Sequence, residues 1–194
     1  MKVAIIGEGE TEYYRLPKFV GRLGHVVVGR ARIVMPNPEF NWERLFELRI
    51  VPLVHAMLTK NPDKILIVLD RERRPDCCPD LARRGVAVIA QHCRHRLGCC
   101  QVGVVISDMN FESVLFADYE VVDQLAILKS ENVSSTFPPS TDGQNVRPWI
   151  SHSLKQGHAY QKIRDGIFLA KHIQLSSQEV QARNRSLRKL VHEL

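Results

Sequence analysis

Apolar residues gather in four short runs along the chain: "KVAIIGE" at 2–8, "VVVGRARIV" at 26–34, "KILIVLD" at 64–70 and "VGVVISD" at 102–108. The first and third are continuous and rich in branched side chains, the pattern of strands buried on both faces. Between the runs the period changes. Tyr13, Leu16, Val20 and Leu23 recur every three or four positions after Thr11, which predicts a helix bent or restarted at Pro17. Asn41 reads as the N-cap of a helix carrying Leu45, Leu48, Leu53, Ala56 and Met57, with a kink at Pro52.

The segment "GVAVIAQ" is strand-like by composition, yet Ala82, Val86, Ile89, Cys93 and Leu97 step at helical spacing towards a Gly98 cap. Parallel neighbours need a crossover of a dozen or more residues, so residues 79–97 are read as a helix. Helical patterns follow in "FESVLFAD", "VVDQLAIL", "AYQKIRDGIFLAKHI" and "SSQEVQARNRSLRKLVHEL", the last capped at Ser176 or Ser177. The expected fold is α/β, a Rossmann-like parallel four-stranded sheet flanked by helices with a C-terminal helical extension. The expected organisation is a core over 1–128, a mobile loop over 129–149 rich in Ser, Pro, Asn and Gly, and helices over 150–194 packing on the same domain. Leu187, Leu190, Val191 and Leu194 are candidates for docking a partner.

Composition changes this picture little. The 194 residues are 44% hydrophobic and 25% charged, ordinary for a single globular domain. No apolar run approaches the ~20 residues that span a bilayer, and the opening residues read as a strand with no cleavage site behind it. A cytoplasmic protein without membrane association is expected. Five cysteines lie between 77 and 100, none in the C-x-x-C spacing that suits zinc, so neither disulfides nor structural zinc is expected.

Charge adds more. The 27 Lys and Arg outnumber 21 Asp and Glu, a formal +6. Arg71, Arg73, Arg74, Arg83 and Arg84 crowd one segment, while Arg183, Arg185, Arg188 and Lys189 crowd the last helix. Arginine suits phosphate, so the first group is a candidate nucleic-acid contact.

Acidic residues fall where ligands bind in open α/β sheets, at the carboxyl ends of the strands. Glu8 ends the first run, Asp70 and Glu72 the third, and Glu112 follows the fourth, with Glu12 one turn beyond Glu8. Glu10 and Asp108 are read as pointing away or capping a helix. Carboxylates brought together resist joint ionisation unless a cation neutralises them, and oxygen-only ligands suit Mg²⁺ or Mn²⁺.

"GEGETE" and "LDRER" after the first and third strands resemble the signature of the toprim domain, shared by topoisomerases, primases and nucleases of overcoming-lysogenization-defect proteins. Glu8-Gly9 matches its glutamate-glycine pair and Asp70-x-Glu72 its Asp-x-Asp, with Glu72 one methylene longer. "NFESVLFAD" and "YQKIRDGIFLA" are similar to the stand-alone toprim-like proteins of the DUF4276 family, with Val114 where tryptophan is usual. The resemblance spans roughly residues 2–125 and 158–194. It implies a metal-dependent nuclease acting on DNA or RNA, with Glu8, Asp70, Glu72 and Lys162 catalytic. Glu8, Glu12, Asp70, Glu72 and Glu112 would hold one or two Mg²⁺ or Mn²⁺ ions, and Asp165 accompanies Lys162. It further implies phage defence beside an ABC-type ATPase. Two rivals stand next to this reading: a catalytically silent regulatory subunit of such an ATPase, and an enzyme acting on small phosphorylated substrates.

Overall fold

The computed structural model describes residues 1–34, 40–129 and 137–194; most of the first half of the expected mobile loop lies outside the described residues. Four strands, β1 (Lys2–Glu8), β2 (Val26–Ile33), β3 (Lys64–Asp70) and β4 (Gln101–Ser107), form one parallel sheet in the order β2-β1-β3-β4. Side chains alternate across it. Val3, Ile5, Leu66, Val68 and Val105 pack into one apolar layer, and Ala4, Ile6, Ile65, Ile67, Leu69, Val104 and Ile106 into the other. This double burial is why the runs read as continuous apolar segments. The fold is α/β and Rossmann-like, as the sequence predicts.

The first layer is covered by helix α1 (Gly9–Arg22) and by later helices that include α8 (Lys162–His172) and α10 (Arg185–Glu193). The second is covered by α2 (Trp42–Leu45), a π-helical stretch over Phe46–Ile50, α3 (Val51–Leu58) and the crossover α4 (Cys78–Leu97). Short helices α5 (Phe111–Leu115) and α6 (Tyr119–Asp123) follow β4, and α7 (Val146–Ser153) and α9 (Gln178–Arg183) complete the described set. No helix among the described residues is long and apolar enough to cross a membrane.

Several local expectations hold for stated reasons. Asn41 caps α2, its side chain accepting from the Arg44 amide at 2.8 Å. Gly98 closes α4 at φ 54. Others differ. Pro17 sits inside an uninterrupted α1, and the Tyr13 carbonyl that proline cannot serve accepts from Arg30 instead, at 3.4 Å. The last helical pattern splits at Asn184, whose side chain caps α10 by accepting from the Leu187 amide at 2.8 Å. Leu187 and Leu190 are buried in the first layer rather than presented to a partner. Helix α7 begins at Val146, inside the expected loop.

The buried face of α4 is also rotated from the expected one: Leu81, Gly85, Val88, Ile89 and Cys93 face inward, while Val86 is exposed. Gly85 explains the shift. A β-carbon there would lie 2.4 Å from Cζ of the fully buried Phe46, so only glycine lets the helix settle on that ring. Gly85→Ala is expected to destabilise the protein. Overpacking costs about 1–3 kcal/mol, and the gain in helix propensity offsets about 1 kcal/mol of it. A lowered urea midpoint with unchanged slope would show the loss, and an unchanged midpoint would contradict this packing account.

Candidate functional site

Parallel strands bring their carboxyl ends to one edge, with Gly7 beside Val68 and Asp70 beside Ser107. The segments beyond stay paired: the Arg71 amide donates to the Ser107 carbonyl at 2.9 Å, and the Glu72 amide to the Met109 carbonyl at 3.0 Å. The two glycines of "GEGE" do different work. A β-carbon on Gly7 would meet the Glu12 β-carbon at 2.8 Å, so Gly7 lets α1 lie close against β1, while Gly9 turns the chain at φ 70. Together they aim Glu8 and Glu12 at the same place.

That place is crowded with negative charge. The Asp70 amide donates to Glu8 Oε2 at 2.9 Å, fixing the Glu8 carboxylate. Burial, followed by the charge of Glu72, pushes the Glu8 carboxyl up to about 7, against the Asp70 amide and the Arg74 charge. Burial and then the Glu112 charge push Glu12 up to about 8. Burial also raises Asp70 well above the usual carboxylate range, reinforced by Glu12, Glu8, Glu112 and Glu72. Asp70 Oδ1 is buried without a hydrogen-bond partner. Glu72 is exposed and held at φ 51, a left-handed conformation that glutamate rarely adopts.

The donor set is all oxygen and jointly reluctant to ionise, which suits a hard divalent cation. Asp70 Oδ1, buried and unpartnered, is the atom such a cation would satisfy. Among the described residues, however, no three His, Cys, Asp or Glu side chains close on one point as ligands. The carboxylates surround the place without gripping it.

No protein-family model matches the chain, and no curated protein is similar to it at a significant level. Two solved structures of the C-terminal region of the Xanthomonas campestris pv. campestris OLD protein are similar in shape. One is 16% identical, with 98% of this chain and 90% of that one covered, and the other 15% identical, with 98% and 93% covered. Both give a TM-score of 0.40, a likeness too slight to speak for activity.

The cluster contains cations that the sequence reading passed over. Arg15 is fully buried beneath it, with Nη1 3.9 Å from Glu112 Oε1, and it donates through Nη2 to the Lys162 carbonyl. Arg147, on α7, places Nη2 3.5 Å from Glu112 Oε2. Gly166 is what admits Arg15, because a β-carbon there would overlap the guanidinium. The steps of four and three residues from Glu8, at the N-cap of α1, to Glu12 and Arg15 were a usable signal.

Lys162 itself is exposed at the start of α8, and its carbonyl rather than its ammonium meets Arg15. Asp165 caps its own helix, accepting from the Gln161 amide at 2.8 Å. Glu10 points away, paired with Arg32 at 3.0 Å.

The arginines expected to face nucleic acid are largely engaged. Arg71 pairs with Asp108 at 2.7 Å, Arg83 with Asp80 at 2.5 Å, and Arg84 with Glu43 at 2.5 Å and Asp76 at 2.9 Å. Arg74 is buried over the Trp42 ring and donates to the Phe40 carbonyl. Arg73 is exposed. Apart from the Asp80–Arg83 pair three residues apart on α4, these pairings join separate segments and carry no local signal in the sequence.

Proposed function

We propose that the chain is a metal-dependent phosphodiesterase of toprim type, a nuclease acting on DNA or RNA. The observation that carries this reading is Asp70: a half-buried side chain with one carboxylate oxygen fully buried and without a partner, among four further carboxylates at the carboxyl edge of a parallel sheet. Such an arrangement costs stability unless a ligand compensates it. Asp70, Glu8 and Glu72 would hold one Mg²⁺ or Mn²⁺, with Glu12 and Glu112 contributing to a second. The bound cation supplies Lewis-acid stabilisation of charge developing on the phosphoryl oxygens.

The residues have separable roles in this reading. The Asp70 amide orients Glu8, whose carboxyl, with a pKa of about 7, is suited to holding or releasing a proton at neutral pH. Glu72 carries the strain of its backbone at the edge of the cluster, a cost of about 1 kcal/mol that an inert surface position has no reason to retain. Glu72→Gly is therefore expected to raise the stability of the cation-free protein by about 0.5–1 kcal/mol and to lower cleavage. If both properties fell together, Glu72 would be structural.

The resemblance to the DUF4276 family adds phage defence and an ABC-type ATPase partner to the proposal. Arg15 and Arg147 favour one rival, the silent regulatory subunit, because they already offset the charge of Glu112. Incubating the protein with plasmid DNA, single-stranded DNA and tRNA decides between them. Cleavage in Mn²⁺ or Mg²⁺ that stops in chelator supports the nuclease. Intact substrates with every cation would overturn it and leave the binding subunit or the enzyme acting on small phosphorylated substrates.

A further inference from the structure

Three buried polar atoms beside the carboxylates have no hydrogen-bond partner and are donors: Nε and Nη1 of Arg15 and the hydroxyl of Tyr160. They lie in one neighbourhood. Arg15 donates to the Lys162 carbonyl, two residues beyond Tyr160, and both Arg15 and Arg147 pair with Glu112. Arg15 is 0% exposed and fixed from behind by the Lys162 carbonyl and by the close approach of Gly166. Tyr160 is fixed by the edge of its ring against Phe116, with centroids 5.8 Å apart. All three donor atoms are shielded from water although the Tyr160 ring is partly exposed, and each buried donor left unpaired costs about 1–3 kcal/mol.

We infer that Arg15, Tyr160 and Arg147 form an anion subsite that receives a phosphoryl oxyanion, with Glu112 occupying it in the resting protein. Glu112 sits between the two guanidinium groups at 3.9 Å and 3.5 Å, within ion-pair range but too far for good hydrogen bonds. It neutralises the arginines without using their donors. Arg147, half-exposed, forms the mouth, and Arg15 with the buried hydroxyl of Tyr160 forms the floor. A tetrahedral oxyanion offers several acceptor lone pairs, matching donors that one carboxylate at this distance leaves unused. The inference deepens the proposed nuclease reading: when Glu112 turns towards a cation, its place is free for the substrate phosphate. Metal binding and phosphate binding are then coupled through one side chain.

The test uses inorganic phosphate in the presence of chelator, so that no cation contributes, with calorimetry as the readout. Wild type should bind weakly, because phosphate must displace Glu112. Glu112→Gln removes the competing charge and should bind phosphate at least fivefold more tightly. Adding Tyr160→Phe to Glu112→Gln should cancel most of that gain, with thermal stability unchanged or raised because an unpartnered hydroxyl has gone. Arg147→Met, at the half-exposed mouth, should weaken phosphate binding to otherwise wild-type protein without disturbing the fold. Equal affinity in wild type and Glu112→Gln would overturn the subsite, as would a gain that survives Tyr160→Phe or an Arg147→Met protein that binds as wild type does. Because chelator excludes catalysis, phosphate binding can persist in a protein that cuts nothing. That outcome would sink the nuclease reading and keep this one.

Discussion

Asp70→Ala should abolish divalent-cation binding, lower phosphodiester cleavage on the order of a hundred- to a thousandfold, and raise the melting temperature of the cation-free protein. The two effects have opposite signs because they come from one cause. Asp70 keeps one carboxylate oxygen buried and unpartnered among like charges, an arrangement that destabilises the folded chain in the absence of a ligand. Removing an unsatisfied buried polar atom recovers about 1–3 kcal/mol, less the packing lost with the side chain. A net gain of about 1 kcal/mol corresponds to about 2–4 °C for a chain of this size. Scanning calorimetry in chelator beside a cleavage assay measures both. A lower melting temperature would mean that Asp70 holds a structural contact, and unchanged cleavage would remove it from the chemistry.

The second large effect is on pH dependence. In the folded protein Glu8 and Glu12 titrate near 7 and 8, well above their ordinary value of 4.5. A carboxyl whose folded value is raised binds its proton more tightly in the native state. Its contribution to stability is complete below about pH 4.5 and is lost as pH rises towards 8. At about 1.4 kcal/mol per pH unit of displacement the loss amounts to several kcal/mol across this window. Glu43 and Glu193 act oppositely, since their values are lowered, by Arg84 in one case and by Lys189 and Lys64 in the other: their contribution is complete above about pH 4.5 and is lost as pH falls through those lowered values. The comparison of wild type with Glu12→Gln isolates the cluster: the variant should gain over wild type as pH climbs from 5 to 8 in chelator. Saturating Mg²⁺ should shrink that gain, because the cation replaces the protons. A difference that stays flat with pH would mean that Glu12 is not held in this charged neighbourhood.

Much of this arrangement was legible in the residues because parallel topology obeys few rules. Four apolar runs gave four strands, and the need for a crossover settled α4 against its strand-like composition. Glu8, Asp70 and Glu112 followed from their positions after strands, since every strand of such a sheet ends on one edge. What stayed hidden depends on contacts between distant segments. The rotation of α4 rests on Gly85 meeting Phe46, and the break at Asn184 on a cap reinforced by its donation to Thr141 at 2.9 Å. Arg15 looks like one more charge on an amphipathic helix until Gly166 opens space for it from the far end of the chain. Arg147 lay in what composition described as loop. Likewise, Arg71 and Arg84 read as free cations because Asp108, Glu43 and Asp76, which hold them, lie on other segments, whereas Asp80 three residues before Arg83 was a local signal left unused.

The carboxylates at the sheet edge are proposed to hold a divalent cation. Calorimetric titration of wild type and Asp70→Ala with Mn²⁺ and then Mg²⁺ at pH 8, where protons compete least, tests this most directly. Wild type should show a saturable binding event, with protons released on binding, and the variant none. Equal heats in the two proteins, or no binding in wild type with inorganic phosphate also present, would contradict that role.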